Sequence, residues 1–202
     1  IENLPPGSKI LISYDFDPAM AVEVNPMTDA FVRHAMVKGH KIYFMGLWAT
    51  GQPIIATAID SIIKGEFPEK RDGIDYINLG YKAGGTGVLN VIITDIRKMF
   101  LADVNGVDLD SVPIMNGIKS LRDMDFILAV GGGLPGVKEW ILFAGDPGHI
   151  PIAGGAAAVC VAGRITARQR ANTVATAAPH AQNIAGVRRT DVAAMSSRGC
   201  CT

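Results

Sequence analysis

The stretch "KIYFMGLWATGQPIIATAIDSIIKGEFPEKRDGIDYINLGY", Lys41 to Tyr81, decides the fold class. It opens on an apolar run, Lys41–Leu47. A helical pattern follows over Gln52–Lys64, with Ile55, Ile59, Ile62 and Ile63 on one stripe. Gly65 ends that helix, a charged turn comes next, and Asp75–Tyr81 is a second apolar run. Strand, helix and strand in this order form the unit of a parallel sheet.

The same alternation extends in both directions. Upstream, Lys9–Tyr14 reads as a strand. A helix follows it, with Asn25 as N-cap, Pro26 at its first position and Gly39 just past its end. Downstream, Val88–Phe100 is a strongly apolar helix, and a short helix fits around Asn116–Leu121. Asp125–Val130 is a fourth strand. Glycines then lead into a helix with Pro135 near its first turn, and "HIPIAG" is a short fifth strand. The alanine run after Gly155 starts a last helix. The expectation is an α/β fold: a doubly wound three-layer sandwich on a mainly parallel five-stranded sheet. Flavodoxin-like and Rossmann-like strand orders both fit.

Composition agrees with this class. Of the 202 residues, 49% are apolar and only 6% aromatic, which suits strands buried on both faces. The net charge is zero, so no overall field favours nucleic acid. The charge is uneven. Residues 1–162 hold 13 Lys and Arg against 18 Asp and Glu, whereas residues 163–202 hold six Arg, no Lys and one acid, Asp191. The chain therefore divides into a Rossmann-like domain, 1–162, and a basic, Ala/Arg-rich tail, 163–202, expected to be poorly ordered. Cys160, Cys200 and Cys201 show neither zinc-site spacing nor a disulfide framework. Cys160, in an Ala/Val run, reads as a small buried hydrophobe. The longest apolar run, Ile150–Gly163, is too short and glycine-rich to span a bilayer. The chain begins at Ile1 and not at Met, so it is expected to be either processed or cut from something longer, and no signal peptide is read in it.

In an open α/β sheet, ligands sit outside the carboxyl ends of the strands. The residues expected there are Asp15 and Asp17, Trp48, Tyr81, Lys82, Gly84, Gly85, Thr86 and Gly132. His149 precedes the fifth strand and falls on the opposite edge. "GYKAGGTG", Gly80–Gly87, offers glycines and a helix start to an anion, although it lacks P-loop order. The other account of it is a tight turn that needs glycine sterically. "GGGLPG", Gly131–Gly136, poses the same choice. "DVNGVDLD", Asp103–Asp110, lacks EF-hand order and reads as a solvated loop.

"DFD", Asp15–Asp17, resembles the opening motif of haloacid-dehalogenase-like phosphohydrolases. That resemblance implies Asp15 as nucleophile, Asp17 as acid/base and Mg²⁺ as cofactor. The companion residues are missing. No Ser or Thr ends the second strand, where Gly46, Leu47 and Trp48 stand, and no acidic pair follows the fourth. The other account is a solvated strand end stopped by Pro18.

The stretches "YDFDPA", "MGLWATG", "NLGYKAGG", "GGGLPGVKEW" and "IPIAGG" resemble an uncharacterised group of bacterial membrane-associated proteins with a Rossmann-like domain. The resemblance covers residues 8–160. It implies membrane-spanning segments outside this fragment and no known activity. The tail departs from the apolar segment expected to lead into a membrane helix. Together these observations anticipate a domain, attached to a membrane protein, that binds a small anionic ligand or a protein partner and needs no cofactor. The alternative is a Mg²⁺-dependent phosphoryl-group hydrolase or transferase using Asp15 and Asp17.

Overall fold

The structure is a computed structural model that describes residues 1–157 and 173–176. Its strands are β1 (Lys9–Asp15), β2 (Lys41–Gly46), β3 (Tyr76–Tyr81), β4 (Phe126–Gly131), β5 (Ile152–Gly155) and β6 (Thr173–Thr176). Neighbouring strands pair in parallel throughout, in the order β3-β2-β1-β4-β5-β6. This is the Rossmann-like order, not the flavodoxin-like one. The sheet also exceeds the expected five strands by one, because Thr173–Thr176 from the basic tail pairs with β5. Cys160, the alanine run from 158 on and the rest of the tail lie outside the described residues.

Alternation along the strands builds the three layers. Leu11, Tyr43, Met45, Ile77 and Ile127 point to one face. Ile10, Ile12, Ile42, Phe44 and Leu128 point to the other. All are at most 1% exposed, as a parallel sheet covered on both sides requires. The first face is covered by α4 (Thr86–Ile92), α5 (Val137–Trp140) and residues 95–124. The second is covered by α1 (Pro18–Val37) and α2 (Gly51–Ala58). A π turn, Ile59–Ile63, extends α2 into the short α3 (Lys64–Glu66). Another, Ile141–Gly145, extends α5 into α6 (Asp146–Gly148).

Three helices differ from the sequence expectation. Helix α1 starts at Pro18, not after Asn25, so Pro26 lies inside it. Asp17 and Pro18 supply the N-cap and the first-turn proline, and the Met20 N–H donates to Asp17 Oδ1 at 3.0 Å. The backbone carbonyl that Pro26 leaves without an N–H belongs to Val22. That residue is 86% exposed, so water can serve it. Asp17→Ala should therefore cost about 1 kcal/mol, read from urea denaturation. An unchanged midpoint would contradict the cap assignment.

Helix α4 ends at Ile92, well short of Phe100. The Thr94 hydroxyl donates to the Val91 carbonyl, and Asp95 accepts from the Arg97 N–H. These polar side chains compete for the backbone and start a 3₁₀ turn, Ile96–Lys98. Single 3₁₀ turns, Pro113–Met115 and Leu121–Asp123, replace the helix expected around 116–121.

Candidate functional site

Asp15 ends β1 on the face that carries Leu11 and Ser13, beneath α5. It is fully buried. The Leu47 N–H donates to Oδ1 at 2.6 Å, and the Trp140 indole N–H donates to Oδ2 at 2.7 Å. The Ser13 hydroxyl lies 2.8 Å from both oxygens. Burial, aided by the nearby Glu139 charge and opposed by these three donors, pushes this carboxyl up to about 7. A carboxylate so enclosed ties β1 to the β2–α2 loop and to α5. It has no open approach for a phosphorus centre.

Asp17 is committed to the start of α1. The two carboxylates of "DFD" thus serve separate elements. Among the described residues no group of three His, Cys, Asp or Glu side chains is placed to hold a metal ion. The residues present do not fit a Mg²⁺ site built on Asp15 and Asp17, because the oxygens of the first are already engaged and no third ligand joins them.

Trp48 comes next along the edge. It is half-buried, and its indole N–H donates to the Pro135 carbonyl at 2.9 Å, joining the loops after β2 and β4. Its ring lies against Gly133, where a Cβ would come within 2.8 Å of two ring carbons. Gly132 is packed against Met20, and a Cβ there would overlap the Met20 sulfur. These glycines therefore admit protein side chains into the crevice between β1 and β4, where the strand order reverses. Gly131, Gly133 and Gly136 have the G-x-G-x-x-G spacing of dinucleotide sites, but after β4 and not after the first strand. The N–H of Gly136 is already taken by Glu139 Oε2 at 2.8 Å. With Asp15 and Glu139 both buried beside it, this loop is a poor place for a diphosphate.

The loop after β3 is open. Tyr81, Lys82 and Gly84 are exposed; Gly85 and Thr86 are half-buried. Gly84 and Gly85 have φ of 136° and 53°, which side chains adopt only under strain. The Gly87 and Val88 N–H groups donate to the Gly84 and Gly85 carbonyls, so the turn uses part of its own helix start. The Lys82 ammonium stands 5.7 Å from the centre of the buried Phe100 ring. Among the described residues it has no carboxylate within ion-pair distance. A Cβ on Gly85 would lie 3.8 Å from Pro135, so this loop and the β4–α5 loop are neighbours.

The expected site residues thus divide. Trp48, Tyr81, Lys82, Gly84, Gly85 and Thr86 form or flank one accessible edge. Asp15 and Gly132 lie buried behind it, and Asp17 caps α1. His149 precedes β5 on the opposite edge, as its position in sequence implied. In the loop 103–110, Asp103 accepts from the Asn105 and Val107 N–H groups and Asp108 from that of Asp110; these acids shape turns.

Ser13, Glu139 and Trp140 belong to the site and had no local signal in the sequence, since Trp140 meets Asp15 across 125 residues. The Gly131-x-Gly133-x-x-Gly136 spacing was the one available pointer beyond Gly132. Among the described residues, no helix is long and apolar enough to cross a membrane. Comparison of the chain with protein-family models, curated proteins and solved structures gave no match.

Proposed function

We propose that this α/β domain is a binding module. Its site is the carboxyl edge of the sheet, between the β3–α4 loop and Trp48 of the β2–α2 loop, which packs on the β4–α5 loop. The observation that carries this reading is the open β3–α4 loop, with Tyr81 and Lys82 exposed, set against Pro135, which Trp48 also holds, beside two carboxylates that are both structurally committed. An exposed ammonium over the Phe100 ring, with no carboxylate within ion-pair distance among the described residues, suits a small organic anion. A protein partner presenting an acidic and apolar tip would use the same features. Attachment to a larger membrane protein is part of the proposal, and it rests on the sequence resemblance alone.

The test is a thermal-shift screen of the purified chain against nucleotides, phosphosugars and small organic acids. At least one anion should raise the melting temperature, and Lys82→Ala should reduce that shift by at least half while leaving the unliganded melting temperature within a degree or two, as surface substitutions do. A ligand that stabilises wild type and Lys82→Ala equally would remove Lys82 from the site. No stabilisation by any compound would leave the protein-partner form of the reading.

A further inference from the structure

Three segments of this edge meet at one side chain that solvent does not reach. β1 brings Ser13 to Asp15, the β2–α2 loop brings the Leu47 N–H, and α5 brings the Trp140 indole. None of these partners is cationic. The charged group that faces Asp15 is a second carboxylate, Glu139, itself 8% exposed and held by the Gly136 N–H.

We propose that Asp15 is a proton-operated latch: its neutral acid holds residues 47–50 closed over the crevice at 131–136, and its ionisation releases them.

The geometry supplies both states. The neutral acid can donate its proton to Ser13 Oγ, which stands equally near both oxygens, while the remaining lone pairs still accept from Leu47 and Trp140. In the ionised state the Ser13 hydroxyl can turn its own proton inward. A buried negative charge facing Glu139 nevertheless gains by reaching water. Of the segments bonded to Asp15, the one that leads to solvent is 47–50: Ala49 and Thr50 are exposed, whereas Ser13 and Trp140 are fully buried. Besides Leu47, that loop is held to its surroundings by Trp48 on the Pro135 carbonyl and by the Thr50 hydroxyl on the Phe16 carbonyl, the latter a long 3.3 Å. A conformation that hydrates Asp15 gains population as the group ionises, because the closed form binds the proton more tightly. Burial and Glu139 set this exchange near neutral pH. Release would withdraw Trp48 from Gly133 and open the point where the strand order reverses.

The latch concerns the edge assigned above, but its test needs no ligand, so the two readings fail separately. The two indole N–H resonances of the full chain are followed from pH 5 to 9. Trp140 reports ionisation directly. Trp48, which is bonded to Pro135 and not to Asp15, reports release. Both should move with one midpoint near 7. Glu139→Gln keeps an acceptor for Gly136 but removes the facing charge, and should lower that midpoint by about one unit. Asp15→Asn should abolish the transition. A Trp48 resonance that stays fixed while Trp140 titrates would overturn the latch, as would a transition that survives in Asp15→Asn. Should Asp15→Asn fail to fold, the Glu139→Gln midpoint decides: a downward shift supports the latch and an unchanged midpoint overturns it.

Discussion

Replacing Asp15 with alanine should destabilise the protein by about 3–5 kcal/mol at pH 5. The truncation leaves the Trp140 indole N–H and the Leu47 N–H buried without an acceptor, and each such loss costs about 1–3 kcal/mol. The effect should depend on pH in a definite direction. The folded-state value near 7 lies above the ordinary carboxyl value of 3.8. Between these values the folded protein keeps a proton that the unfolded chain has released. Asp15 therefore stabilises the fold most at low pH, and its contribution falls as pH rises through this window. The measured cost of Asp15→Ala should be smaller at pH 8 than at pH 5 by about 2 kcal/mol. Urea denaturation at both pH values supplies the comparison. A cost that grows towards pH 8 would mean that the group is held ionised by its donors.

Gly51→Ala should cost about 2–3 kcal/mol or abolish folding, although alanine normally favours a helix. Gly51 opens α2 directly over β1, and a Cβ there would stand 2.1 Å from the Tyr14 backbone oxygen. That oxygen is backbone of the central strand β1, which lies between β2 and β4, and it cannot rotate away. The helix start itself must shift, and it carries the Trp48–Thr50 loop with it. Gly87 is the matched control. It lies in α4 with nothing within 4 Å of its would-be Cβ, and its φ is negative. Gly87→Ala should stabilise by about 0.5–1 kcal/mol through helix propensity alone. Equal melting temperatures for the two variants would contradict the packing described at Gly51.

Much of this architecture was legible in the chain. Five strands of the sheet were expected within one or two residues at most of their ends, because each is a short apolar run bounded by glycine, proline or charge. The carboxyl edge was legible too, since it follows from parallel pairing. Less local features were not. Asn25–Pro26 has the appearance of a helix start, yet Asp17–Pro18 offers the same chemistry two turns earlier, and the buried stripe of Val24, Thr28 and Val32 continues through Pro26. β6 has too little hydrophobic pattern to stand out from the basic tail, and it becomes a strand by pairing with β5.

The clearest division falls on Tyr14-Asp15-Phe16-Asp17. By itself the sequence placed the end of β1 here and both acids at the carboxyl edge of a parallel sheet, and it lacks the partners that phosphoryl transfer needs. Periodicity and turn chemistry are local, and they carry that much. The tertiary structure alone decided that Asp15 is enclosed and Asp17 is a cap. Leu47 and Trp140 reach Asp15 across 32 and 125 residues, and the burial that raises its affinity for a proton is created only when α5 closes over β1.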